Sequence, residues 1–152
     1  MTSKIEARLK ALNITLPPPP QPVANYLGSK VSGNLLFVSG RKSELIGAVG
    51  DEVTEEEAKI AARETIITML AIIKQDLGNL DRIFGVEKLN GFVRSAPDFT
   101  RQPMVIDGAT ELLIEIWGEN GKHARTATGV SQLPFGATIQ LEMIMKLDTG
   151  KG

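Results

Sequence analysis

TEEEAKIAARETIITMLAIIKQDLG, residues 54–78, is the stretch on which the fold turns. Thr54 stands three residues before Glu57, the spacing of a capping box, in which each side chain accepts a bond from the other's backbone N–H. Ala58, Ala61, Ala62, Thr65, Ile66, Met69, Leu70, Ile73 and Leu77 then recur at helical intervals. Glu56, Lys59, Arg63, Lys74 and Gln75 fall mostly on the other side, and Gly78 suits the left-handed residue that closes a helix. Small alanines let the first half of this helix sit close to a sheet, while the later Met and Ile residues fill a wider gap.

Upstream, residues 34–39 read as a strand with Leu36 and Val38 on one side and Leu35 and Phe37 on the other. Both faces are apolar, the pattern of an interior strand. Residues 41–53 read as a surface connection. Downstream, 80–84 is a link, 86–94 a second major strand, and Ser95-Ala96-Pro97-Asp98 the turn that ends it. A second helix is expected over 108–117, capped by Asp107, with Ala109, Leu112, Leu113, Ile116 and Trp117 on one face. Gly118 and Gly121 flank a tight connection. Two last strands, 123–131 and 137–147, are separated by Leu133-Pro134-Phe135-Gly136.

This order predicts an α+β fold, a sheet with both helices packed on one face. The other face then has no cover within the chain. Ile139, Leu141, Met143 and Met145 alternate along the last strand, yet Ile144 is apolar on the opposite side, so a second subunit is expected to cover it. At the front, residues 3–12 predict a short amphipathic helix carrying Ile5, Leu9 and Leu12. It stops before the extended run Pro17-Pro18-Pro19-Pro20. The chain therefore divides into a lead-in, 1–19, and a single domain, 20–152.

Composition narrows the chemistry. At 152 residues, roughly two-thirds of the extended chain's surface can be buried, so no metal or disulfide staple is needed. Seventeen basic against eighteen acidic residues give a charge of −1, which argues against a protein built to hold nucleic acid or an anionic membrane. With no cysteine and one histidine, thiol chemistry, thiolate metal sites and multi-histidine sites are excluded. The first residues lack the long apolar run of a signal peptide, and a soluble cytoplasmic protein is expected.

His123-Ala124-Arg125-Thr126-Ala127 is the most informative stretch for function. A guanidinium in a strand of small residues needs a partner, and its planar fork suits a carboxylate. That carboxylate is either an internal one, such as Glu115 or Glu142, or a ligand's. His123 is a candidate general base, or equally a capping or exposed residue. Gln140 and Glu142 share a face of the last strand. Glu142 can act as acid, base or ion-pair partner, whereas Gln140 can orient a water but cannot take its proton. Glu111, Glu115 and Glu119 read as a solvated helix face. The glycines match neither the phosphate-binding loop nor the dinucleotide fingerprint, and Gly40-Arg41-Lys42-Ser43 is a brief basic patch without aromatics. Tyr26, the only tyrosine, is either a surface contact or a pocket residue.

Asn90-Gly91-Phe92-Val93-Arg94-Ser95-Ala96-Pro97-Asp98-Phe99, Gly121-Lys122-His123-Ala124-Arg125-Thr126-Ala127-Thr128-Gly129-Val130 and Leu133-Pro134-Phe135-Gly136 together resemble the RidA/YjgF family, also called endoribonuclease L-PSP. With Asn25-Tyr26, Gly33-Asn34-Leu35 and Val38-Ser39-Gly40, the resemblance spans about residues 20–147 and is closest to the family's longer branch. It implies a chorismate-mutase-like α+β fold with a mixed sheet, assembled as a homotrimer with small-molecule clefts between subunits. It also implies hydrolysis of imines or enamines to 2-oxo acids and ammonia, without a metal or other cofactor. By resemblance, Arg125 grips the substrate carboxylate, Tyr26 lines the cleft, and the backbone at Ser39 and Gly40 lies beside it. Ala127 matches a small residue that is often cysteine. Gln140 stands where the family has a water-positioning glutamate, and Glu142 is the second acid. Pro103 falls near a ligand-facing asparagine of archetypal members, and Arg41 replaces a frequent glutamine. The alternative to deamination is a non-catalytic protein that binds or senses a carboxylate metabolite. RNA cleavage, the older family label, has little support from the charge balance, and neither nucleic acid nor membrane is an expected partner.

Overall fold

The computed structural model describes residues 3–21 and 24–150. Its elements are α1 (Lys4–Ala11), β1 (Ser29–Ser32), β2 (Leu35–Lys42), α2 (Glu55–Leu77), β3 (Ile83–Arg94), α3 (Gln102–Trp117), β4 (Ala124–Val130) and β5 (Ile139–Leu147). The strands form one sheet in the order β1-β2-β5-β3-β4. Among the described strands only β3 and β4 run parallel, and α3 supplies the crossover that parallel neighbours require. The other three strand pairings, β1–β2, β2–β5 and β5–β3, are antiparallel.

β5 sets the two faces of this sheet. Ile139, Leu141, Met143, Met145 and Leu147 are buried, while Gln140, Glu142, Ile144 and Lys146 between them are only partly covered. The buried side packs against α2 and α3. In α2 the capping box forms: Thr54 Oγ1 accepts from the Glu57 N–H at 3.1 Å, and Glu57 Oε1 accepts from the Thr54 N–H at 3.1 Å. Ala58, Ala62, Ile66, Met69, Leu70 and Ile73 are fully buried, as are Leu36 of β2 and Leu89 and Val93 of β3. Each large aliphatic side chain buried this way contributes about 1.5–3 kcal/mol. α2 and α3 approach closely at Gly108, where a Cβ would run into the Lys59 carbonyl.

The opposite face stays open and is apolar in part. Phe37 pairs across the ladder with Ile144 and remains 43% exposed. At the far end the Lys146 ammonium sits 5.4 Å from the Phe84 ring. Among the described residues no helix is long and apolar enough to cross a membrane.

Several boundaries differ from those read in the sequence. The two-helix count becomes three, because α1 packs against α3 and brings Leu9 to 1% exposure. α3 begins at Gln102 rather than 108, with Pro103 in its first turn, where a missing N–H costs nothing. Asp107 therefore lies inside the helix and is not its cap. The chain ahead is held by the Gln102 amide, which donates to the Phe99 carbonyl at 2.9 Å and to Ser95 Oγ at 3.1 Å. β3 starts at Ile83 after a 3₁₀ turn at Leu80–Arg82. His123 falls just before β4, and Ala137 before β5. β1 has four residues, mostly exposed, and leaves little periodic trace.

α1 is fastened by a carboxylate from far along the chain. Asp81 accepts from Ser3 Oγ at 2.7 Å, from the Ile5 N–H at 2.9 Å and from the Lys4 N–H at 2.9 Å, which satisfies donors that a helix start leaves free. Partial burial pushes the Asp81 pKa up, but these three bonds and the Lys4 charge outweigh it and leave the carboxyl below its usual 3.8. The contribution of this clip is thus complete above pH 3.8 and disappears as pH falls through the lowered folded value. Asp81→Ala is expected to cost about 1 kcal/mol, comparable to loss of a helix cap. Hydrogen exchange at neutral pH should then rise selectively over Lys4–Ala11. An unchanged exchange rate there would contradict the clip.

Candidate functional site

Arg125 lies on β4, the sheet edge paired only to β3, directly beside Leu89. Leu89 is fully buried on the helix side, so Arg125 shares that side and reaches α3. Its Nη1 donates to Asp107 Oδ1 at 2.7 Å and to Thr110 Oγ1 at 3.1 Å. The internal partner is thus Asp107, and the expectation of Glu115 or Glu142 is corrected. Glu115 instead faces Arg63 at 3.6 Å, and Glu142 lies on the other face of the sheet. The arginine side chain stays 24% exposed, and its Nε and Nη2 make no hydrogen bond among the described residues. One nitrogen is anchored, and two remain for a carboxylate, the geometry that a guanidinium binds best.

His123 sits beside this group. Its Nδ1 is 2.6 Å from the Gly121 carbonyl and its Nε2 3.1 Å from Thr110 Oγ1. With both ring nitrogens engaged inside the chain, the imidazole has no free lone pair for a substrate proton. The general-base reading is not supported by this arrangement. Burial holds its pKa below 6.5, the Gly121 carbonyl opposes that, and the Arg125 charge adds to it.

The remaining candidates gather at the β2–β5 seam. The ladder is irregular between Val38 and Arg41, and Ser39 and Gly40 occupy the break. The Ser39 hydroxyl donates to the Leu27 carbonyl at 2.5 Å, and its N–H to the Gly28 carbonyl at 3.0 Å. A Cβ on Gly40 would stand 3.3 Å from Gln140 Nε2, so the Gln140 amide lies against this glycine. Tyr26 is 51% exposed and, with Ser39, Gly40 and Arg41, lines a cavity of about 60 Å³ bounded by Met69 and Ile72 of α2. On the open face a wider groove of about 310 Å³ includes Ser39, Lys88, Asn90 and Glu142. There Glu142 Oε1 accepts from Asn90 Nδ2 at 2.9 Å.

The β2–β5 seam carries Ser39, Gly40, Gln140 and Glu142 with Tyr26 beside it, while Arg125 and Ala127 lie on the β4 edge. β5 and β3 lie between β2 and β4, so Ser39 and Gly40 of β2 are about three strand spacings, roughly 14 Å, from β4, while Gln140 and Glu142 of β5 are about two spacings away and on the face opposite Arg125. Pro103 sits exposed in the first turn of α3. Asp107, Thr110 and Asn90 were not singled out as site residues from the sequence. Asp107 and Thr110 are three apart on α3 and so share one side of it, and their bonds to Arg125 show that this side faces β4. Among the described residues no three His, Asp or Glu side chains converge to hold a metal ion.

Residues 6–146 match the family described as "YjgF/chorismate mutase-like, putative endoribonuclease". Protein TCP17 of Trypanosoma cruzi is 38% identical over 154 residues, spanning 97% of this chain and 96% of that one. The 2-iminobutanoate/2-iminopropanoate deaminase of Dermatophagoides farinae is 26% identical over 142 residues, or 89% of this chain and 95% of that one. Among solved structures, protein Atu1372 of Agrobacterium tumefaciens, of unknown function, matches with a TM-score of 0.86 at 42% identity over 95% of this chain and 93% of its own. These likenesses bear out the chorismate-mutase-like α+β fold.

Because the His123 pKa is lowered on folding, the unfolded chain takes up that proton first. Its contribution to stability is complete above pH 6.5 and is lost as pH falls below 6.5 through the folded value. Replacing the only histidine, His123→Gln, should flatten the dependence of thermal midpoint on pH between about pH 7 and pH 5. Parallel curves for the two proteins would refute this assignment.

Proposed function

The chain belongs to the YjgF/RidA (endoribonuclease L-PSP) family, and on that premise we propose that it binds a small carboxylate-bearing metabolite between subunits of a homotrimer and hydrolyses an imine or enamine there. The observation that carries this reading is the partly exposed Arg125 guanidinium with one nitrogen tethered and two unengaged. The two separated groups of site residues favour assembly. A head-to-tail contact that sets the β4 edge of one subunit against the β2–β5 end of the next completes a site at each seam and closes into a ring. Phe37 and Ile144 on the open face supply apolar surface for such a contact. The number three comes from the family resemblance.

In such a cleft Arg125 takes the carboxylate through Nε and Nη2, and Tyr26 and the Ser39–Gly40 backbone bound the rest of the guest. Water adds to the imine carbon as the C=N electron pair moves to nitrogen, and a proton passes from the water to that nitrogen. The hydroxyl's proton then passes to the same nitrogen as the C–N bond breaks and C=O forms, releasing a 2-oxo acid and ammonia. Glu142 is the carboxylate able to relay the proton, and Gln140 orients the water. A second reading has its own support. Gln140 is an amide packed on Gly40, and one Glu142 oxygen is already held by Asn90, which favours binding or sensing without turnover.

Ammonia release from freshly generated 2-aminoacrylate should exceed the buffer rate. Arg125→Ala should lower it roughly 30- to 150-fold, the loss of about 2–3 kcal/mol in charge-assisted bonding. Gln140→Glu should raise it. Saturable benzoate binding without any acceleration would select the sensing reading. Absence of both binding and turnover would reject the Arg125 site altogether.

A further inference from the structure

We infer that Thr110 and His123 are positioning residues for Arg125, a hydrogen-bond relay that fixes the plane in which the guanidinium presents its unengaged nitrogens. This rests on the reading of Arg125 as the carboxylate grip. The directions of the bonds follow from which atoms can donate. The Gly121 carbonyl can only accept, so His123 Nδ1 carries the proton at that 2.6 Å contact. In the neutral ring Nε2 is then a lone pair and accepts from the Thr110 hydroxyl, 3.1 Å away. Having given its one hydrogen to the imidazole, Thr110 Oγ1 turns lone pairs toward Arg125 Nη1, which can only donate. The second Nη1 hydrogen goes to Asp107 Oδ1. Both hydrogens of one planar nitrogen are thereby assigned, and two fixed acceptors on Nη1 set the guanidinium plane where one alone would allow it to pivot.

The protein contains its own control for Thr110. In α2, Thr65 Oγ1 donates back to the Ala61 carbonyl at 2.7 Å and Thr68 Oγ1 to the Glu64 carbonyl at 3.3 Å, the ordinary habit of a threonine inside a helix. Thr110 lies inside α3 and makes no such bond among the described residues. Its hydroxyl is turned across to His123 and Arg125 instead. The histidine is neither a base nor a ligand in this arrangement. It sets the hydroxyl's direction, and the hydroxyl sets the arginine.

The test needs no ligand for its first arm. Because His123 is the only histidine, one imidazole signal reports its tautomer in a ¹⁵N spectrum of the full chain. The relay requires the Nδ1–H form with Nε2 accepting, and a wild-type Nε2–H tautomer at pH 7.5 would overturn it. In Thr110→Val, which keeps the shape and loses the hydroxyl, the Nε2 resonance should move and the order parameter of the Arg125 Nε–H should fall. Thr110→Ser should restore both, which a purely steric role for the side chain would not produce. An unchanged Arg125 order parameter in Thr110→Val would overturn the positioning role. The second arm measures benzoate binding by calorimetry, with about tenfold weakening expected in Thr110→Val and at most twofold in Thr110→Ser. Benzoate bound equally by wild type and Thr110→Val would also overturn it. If the wild type binds no benzoate, the grip reading fails by itself, and the spectroscopic arm still decides the relay.

Discussion

Everything in this molecule hangs on a central strand that buries every second side chain. β5 lies between β2 and β3, and its odd-numbered residues from Ile139 to Leu147 face the helices. The two-residue period of a strand then forces Gln140, Glu142, Ile144 and Lys146 onto the other side, which no helix covers among the described residues. The hydrophobic requirement of one face thus dictates the polar content of the other. Gln140 and Glu142 share a surface because Leu141 and Met143 must be inside.

The one parallel pairing has a comparable effect at the sheet edge. β3 and β4 can run together only through a crossover, and α3 consequently lies over β4 along its length. That lid makes an edge arginine possible on the buried side. Asp107 and Thr110 neutralise and bond part of the Arg125 guanidinium, while the strand edge keeps the rest near solvent. An arginine further inside the sheet would lack that outlet, and one without α3 would have nothing to hold it still.

Much of the fold was legible because it rests on short-range rules. The Thr54–Glu57 box, the alanine-rich face of α2 and the alternation of β5 each announce themselves within a few residues. What depends on context was harder to read. Asp107 resembles a cap when the helix is assumed to start at Gly108, and Pro103 conceals the true start at Gln102. β1 is too short and too exposed to carry a period. Arg125's partner was hidden by the same error, since an aspartate taken for a cap is not sought across the helix. The folded chain supplies the missing link: Gln102 packs on Gly129, and four strand residues back to Arg125 cover about 13 Å, close to the roughly 12 Å of eight helix residues that lead to Thr110. The separation of Tyr26, beside the β2–β5 seam, from Arg125 on the β4 edge could not be read locally, because it follows from the order β2-β5-β3-β4.

The placement of β5 also orders events during synthesis. The strand that separates and joins β2 and β3 is the last of the five to leave the ribosome, and its pairing of Lys146 with Leu35 closes more than a hundred residues of chain. Until then β2 and β3 each have a bare inner edge, and the apolar faces of α2 and α3 lack their floor. Such high contact order slows folding and prolongs exposure of sticky surface. A nascent chain stalled before residue 139 therefore displays both inner edges and these apolar faces together, however stable the finished molecule becomes.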